Sequence, residues 1–401
     1  MSSQSTETTV RKRRVFYMPG YDPIPPRRYR ELYRKESAAQ AWVSGYEIAL
    51  SPKKGDGPYG WHVFSRQDGF ETETDIEVLV WSDIVQHSMA QSIPGTYLQL
   101  LRTAWIYLST GTLGRLMRLR KGPVIAALYP VGMLLGQLAL AVGIAWASAA
   151  SLWGWIGWLA LLPAFGLAYG LLYAFRRFDN RFFAYYLMHD YAHSSALKGA
   201  VPANLSARLD MFSQMIRDAL DGDTDEVLVV GHSSGAHLGV LVLASLLRQR
   251  QTQRPVSFLS LGQVVPMVSF LPNADQLRRD LQFLSTREDL TWVDVSAPGD
   301  GCAFALCDPV AVSGVAGPGK RWPLVLSAAF TQTLSPERWR QLRHRFFRLH
   351  FQYLCAFDRP GDYDYFRITA GPLTLAQRFS GRKPSKSRIE TPVSKYSSVG
   401  P

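Results

Sequence analysis

Apolar positions along this chain follow three regimes: short β-branched or aromatic runs bounded by turn residues, longer stretches at helical spacing, and one long stretch without charge. The short runs predict strands at 14–18, 42–50, 61–65, 76–81, 226–230, 256–261, 290–295 and 322–330. Residues 53–58, Lys-Lys-Gly-Asp-Gly-Pro, read as a turn between two of them. Helical spacing predicts helices at 27–37, at 204–220 with Gly222 near its end, and at 236–247. A further helix opens at Ser335-Pro336-Glu337, with a serine cap and proline at the first position. Strands alternating with helices predict an α/β fold, a mostly parallel sheet flanked by helices.

The third regime interrupts that alternation. From Val124 to Ala174 there is no Asp, Glu, Lys or Arg, and Gln137 is the most polar side chain. About twenty apolar residues cross a bilayer, so the span suits two helices and a tight turn. Helices at about 123–147 and 153–175 are expected, the turn lying at 147–151 among Trp146, Trp153, Trp155 and Trp158, whose indoles favour the far interface. Arg115, Arg118, Arg120 and Lys121 precede the hairpin and Arg176, Arg177 and Arg181 follow it, which predicts that both ends are cytoplasmic. Residues 98–108 and 182–188 look like amphipathic helices lying at the interface on either side.

The expected organisation is a domain in two parts, 14–90 and 204–379, separated by a membrane insertion at 91–203, with disordered polar tails at 1–13 and 380–401. No apolar secretory core follows Met1, so a cleaved signal is not expected. The anticipated location is an integral membrane protein, in a bacterial cell that of the inner membrane, with the folded domain on the cytoplasmic side. Three cysteines, Cys302, Cys307 and Cys355, give no disulfide framework and agree with a reducing compartment. The net charge of +12 has two natural readers. Nucleic acid is discounted because no binding module accompanies the basic residues, which leaves the anionic leaflet of the lipid bilayer.

Candidate chemistry concentrates where a strand meets a helix. Val229-Val230-Gly231-His232-Ser233-Ser234-Gly235 reads as an apolar strand, a sharp turn presenting a serine between two glycines, and an immediate helix start. A serine at such a turn is strained towards positive φ, so Gly231 and Gly235 must be small to let strand and helix approach. The amide of Ser234 then points where an oxyanion would form. After the strand at 14–18, Pro19-Gly20-Tyr21 offers the amide of Tyr21, with that of Gly20, as a second donor; an ordinary turn into the next helix is the rival reading.

Gly231-His232-Ser233-Ser234-Gly235 resembles the nucleophile elbow of the α/β-hydrolase superfamily, serine esterase and lipase type, over residues 14–82 and 204–370. The long apolar insertion departs from that family. The resemblance implies an acid and then a histidine after the serine in chain order. Asp300, in a turn past the strand at 290–295, is the preferred acid, with Asp294 and Asp308 as rivals. Among later histidines, His350 has apolar neighbours that could hold a base and His344 lies on a basic face, so His350 is preferred. His232 is expected to shape the pocket.

The implied activity is acyl transfer from a lipid or other lipophilic ester, with no cofactor. A catalytically inactive tethered binding or scaffold domain is the alternative, and a transport subunit is disfavoured by the lack of polar residues in the span. His189-Asp190-Tyr191-Ala192-His193 resembles a zinc-protease spacing, but no third ligand is evident, and no metal is expected.

Overall fold

The computed structural model describes residues 9–53, 55, 57–249 and 254–400. Its strands are β1 (Lys12–Met18), β2 (Glu47–Pro52), β3 (Gly60–Gln67), β4 (Phe70–Val78), β5 (Glu226–His232), β6 (Val256–Leu261), β7 (Leu290–Ser296) and β8 (Leu324–Ser327). They form one sheet in the order β2-β3-β4-β1-β5-β6-β7-β8. β2, β3 and β4 pair antiparallel, whereas β4-β1-β5-β6-β7-β8 is parallel throughout. The unbroken burial of β5 and β6 has its cause here, because helices cover both faces of the parallel part.

Two cores lie on the two faces. Phe16, Met18, Val227 and Val229 pack with helices Ala203–Leu220 and Gly235–Gln249 on one side, while Val15, Tyr17, Leu228 and Val230 pack with Tyr29 and Tyr33 of helix Arg27–Ser44 on the other. Adjacent strands β1 and β5 therefore send their following helices to opposite faces. That makes the C-terminal ends of β1 and β5 the topological switch point, where an open parallel sheet leaves a crevice.

Between β4 and β5 the chain inserts a helical layer that includes Ile93–Ser109, Lys121–Ile156, Leu161–Arg177 and Ala184–Ser195. The continuous helical run Lys121–Arg177 is long and apolar enough to cross a membrane. Its two helices pack on each other and present Ile125, Leu162 and Phe165 outward. Leu98, Leu101, Trp105 and Leu108 form a second exposed apolar stripe on Ile93–Ser109.

Several expectations are corrected. Residues 42–44 end helix Arg27–Ser44, which stops at Gly45 with φ 71°, so the strand begins only at Glu47. The strand expected at 322–330 shrinks to Leu324–Ser327. Residues 147–151 are helical, because alanine and serine do not break a helix and the Ser151 hydroxyl donates to the Ala147 carbonyl; the turn instead falls at Gly157–Ala160, with Gly157 at φ 56°. The expected interfacial segment 182–188 is packed, with Tyr185, Leu187 and Met188 buried.

The tails differ from expectation too. Residues 1–8 lie outside the described residues, whereas Lys12 and Arg13 already belong to β1. At the other end the chain is docked, not disordered: Ile389 pairs its backbone with Leu306 and Asp308, and the Ser398 carbonyl accepts from buried Arg278. Apolar Ile389, Val393 and Val399 anchor a segment whose overall composition is polar.

Close approach at the switch point sets a steric test. A Cβ on Gly235 would stand 2.1 Å from the Met18 carbonyl oxygen, and one on Gly231 would stand 2.7 Å from that of Gly235. Gly235→Ala should therefore lower stability by about 3 kcal/mol or more, since backbone must move. Gly132→Ala, where an added Cβ meets nothing within 4 Å, should not lower it. Thermal unfolding of the two variants gives the comparison, and equal melting temperatures would contradict it.

Candidate active site

β5 delivers Ser233 into the crevice. Ser233 has φ 57°, a left-handed conformation that costs a non-glycine residue about 1–3 kcal/mol and persists only where surroundings enforce it. The enforcement is visible: the Ser233 amide donates to the Leu261 carbonyl at 2.9 Å, and the Ala236 amide donates to the Ser233 carbonyl at 3.1 Å. Gly20 closes the other side, where a Cβ would lie 3.0 Å from that of Ser233. Held in this way, the partly exposed Ser233 lines a cavity of about 700 Å³.

The imidazole of His350, at the end of the short helix Phe346–His350, lines the same cavity. His350 Nδ1 lies 2.7 Å from Asp300 Oδ2. Asp300 Oδ2 also accepts from the Tyr353 hydroxyl at 3.0 Å, and its Oδ1 accepts from the Cys302 amide at 2.9 Å. Burial works to raise the Asp300 carboxyl, but the charge of His350 and these hydrogen bonds outweigh it and hold the group below the usual carboxylate range. An ionised carboxylate can only accept, so Nδ1 carries a proton, and in the neutral form of the ring it is Nε2 that has the free lone pair. Among the described residues no hydrogen bond joins Ser233 Oγ to His350; in ligand-free sites such bonds are commonly long and tighten around substrate.

His232 supports His350 from behind. Burial first, and then the neighbouring His350 charge, push it down to about 3, so its imidazole is neutral. Its Nε2 lies 3.0 Å from the His350 carbonyl, which can only accept, so Nε2 bears the proton and donates. The amide of Tyr21 points at the elbow and donates to Ser234 Oγ at 3.2 Å. Trp81 Nε1 donates to the Pro19 carbonyl at 3.1 Å, and the Tyr186 hydroxyl donates to the Tyr21 carbonyl, which together fix the Gly20 loop.

The rival side chains are engaged elsewhere. Asp294 accepts from Ser260 Oγ at 2.6 Å inside the sheet, and Asp308 caps helix Pro309–Val312 while pairing with Lys320 at 2.5 Å. His344 stands exposed at the cavity rim. His189 Nδ1 contacts Gln99 Oε1 and His193 packs on Tyr21 and Trp81, so the two imidazoles serve different neighbours. Asp300, Cys302 and His350 hold one possible ligand atom each within 4.8 Å of one another. Two of those atoms already bond to each other, and burial pushes the Cys302 thiol well up, which keeps it a protonated, poor metal ligand.

Two contributors carry no sequence signal. Tyr353, three residues past His350, bridges Asp300 and the Ala297 amide, the latter donating at 2.9 Å. Asp190 forms part of the cavity wall, and burial pushes its carboxyl up to about 7 against the opposing influence of His350.

The chain is thus an α/β protein with a strained serine and a buried imidazole–carboxylate pair at the switch point of a mostly parallel sheet. No protein-family model matches it, and no curated protein or solved structure matches it either.

Tyr353→Phe should cost about 1–3 kcal/mol, because the Ala297 amide loses its acceptor and Asp300 loses a donor; denaturant or thermal unfolding measures it, and wild-type stability would contradict the bridge. The histidine sets a pH test. Its folded pKa lies below the ordinary value, so the unfolded chain binds more protons between pH about 6.5 and about 3, and stability falls as pH drops through that window by up to about 1.4 kcal/mol per pH unit. His232→Gln should flatten the decline of melting temperature with falling pH; an unchanged slope would show that His232 does not titrate on unfolding.

Proposed function

We propose that this chain is a membrane-anchored serine hydrolase, similar in plan to α/β-hydrolases, that cleaves lipophilic acyl esters through Ser233, His350 and Asp300. The observation that carries the reading is Ser233 at positive φ, facing the cavity that His350, bonded to Asp300, also lines. Ser233 Oγ attacks the ester carbonyl while His350 Nε2 takes its proton, and Asp300 stabilises the imidazolium. The Ser234 amide, with the Tyr21 amide once the Ser234 hydroxyl turns away, donates to the oxyanion. His350 returns the proton to the departing alcohol, and water then releases the acyl group by the same route.

The run Lys121–Arg177 supports an anchor, read here as two spans because its helices pack together about a glycine-containing turn. Basic residues at both ends and none at the turn support a cytoplasmic catalytic domain, in a bacterial cell at the inner membrane. A second reading, a tethered binding domain with an inert serine, draws on the lack of a Ser233–His350 hydrogen bond. A fluorophosphonate probe separates them. It should label the wild type and not Ser233→Ala, together with loss of ester hydrolysis in the variant; an unlabelled wild type would favour the binding domain.

A further inference from the structure

The cavity wall includes part of the helical run that is apolar enough to cross a membrane. Gly122, Ile125, Ala126 and Tyr129 all line it, and their spacing places them on one face of helix Lys121–Ile156. Ile125 is 62% and Tyr129 42% exposed, so the same side chains belong both to the cavity and to the outer apolar surface of the helical run. The cavity therefore opens sideways onto the surface that a bilayer would cover. Around the rim stand Arg181, His344, Arg345 and Arg348, all exposed. Arg181, Arg345 and Arg348 have no carboxylate partner among the described residues.

Two acidic groups sit deeper. Asp22 is occupied by the Tyr29 hydroxyl at 2.6 Å and by Arg28 at 3.8 Å, and Asp190 lies in the wall near His350. An anion is thus favoured at the rim, while the inner wall, with Leu187, Val264, Met267 and Val268 and, among the described residues, no unpaired guanidinium, fits an uncharged acyl chain. A volume of about 700 Å³ is in the range of small-molecule sites.

Resting on the serine-hydrolase reading, we infer that the substrate is an anionic phospholipid, which enters from the bilayer along helix Lys121–Ile156 with its phosphate held by Arg181, Arg345 and Arg348. Guanidinium forks suit a phosphate oxygen pair, and juxtamembrane arginines lie at headgroup depth. The acyl carbonyl carbon bonds to Ser233 Oγ as its bond to the glycerol oxygen breaks. That oxygen takes the serine proton through His350 and leaves as a lysophospholipid. Water then attacks the acyl-enzyme, giving the fatty acid and regenerating the serine hydroxyl.

The full chain, reconstituted in vesicles of mixed phosphatidylglycerol and phosphatidylcholine, tests this by fatty-acid release from each lipid. Because the protein is inserted in one bilayer containing both, recruitment cannot create a preference. Release from phosphatidylglycerol should exceed that from phosphatidylcholine about tenfold or more, the factor that a charge-assisted hydrogen bond carries. The double variant Arg345→Gln, Arg348→Gln should bring the ratio near one, whereas Arg345→Lys with Arg348→Lys should keep part of it. Ala126→Trp, which fills the lateral opening, should cut release from both lipids about tenfold. Fluorophosphonate labelling of Ser233 in each variant reports an intact site. Equal release from the two lipids by a labelled wild type, no release from either, or an unaltered ratio in the glutamine variant would overturn the inference and leave the hydrolase standing. A wild type that neither labels nor releases fatty acid would remove the parent reading and this one with it.

Discussion

The hydrogen bond between His350 Nδ1 and Asp300 Oδ2 is the contact on which the site depends. Both side chains are almost entirely withdrawn from solvent, so the carboxylate would be costly there without compensation. Compensation comes from three donors: the imidazole, the Cys302 amide and the Tyr353 hydroxyl. Each belongs to a different local feature, the helix carrying His350, the turn after β7 and the short helical turn Phe351–Leu354. The pair thus ties the end of the sheet to the last third of the fold. It also fixes the tautomer, leaving Nε2 as the one basic atom directed elsewhere.

A second constraint acts on the other side of the cavity. Because β1 and β5 are neighbours whose helices diverge to opposite faces, the loops after them meet, and Gly20 abuts Ser233. The long insertion between β4 and β5 returns across this opening, which brings the first turns of an apolar helix into the cavity wall. In the proposed reading, the chemistry and the lipid phase thereby share one surface. No separate lid is needed to shield the ester from water.

Legibility in the sequence followed the range of the forces involved. The Gly231–Gly235 motif could be read because its cause is local: a tight turn and a backbone approach that excludes a Cβ. Buried parallel strands could be read because both faces demand apolar residues. Asp300 and His350 could be ranked by their flanks, but their pairing depends on where β7 and a distant helix meet in space, which no spacing encodes. Tyr353 and the supporting role of His232 were invisible for the same reason. The docked C-terminal segment was misread because its polar composition masks a few apolar anchors and the backbone pairing of Ile389. Residues 42–44 failed in the opposite way, their β-like side chains being overruled by the helix already running into them.

The central claim is that Ser233 owes its reactivity to His350. The direct measurement is the second-order rate of inactivation by a fluorophosphonate for wild type and His350→Gln, each checked for folding. The account requires a loss of about a hundredfold or more, the lower bound expected for a general base. Equal rates in the two proteins would contradict it.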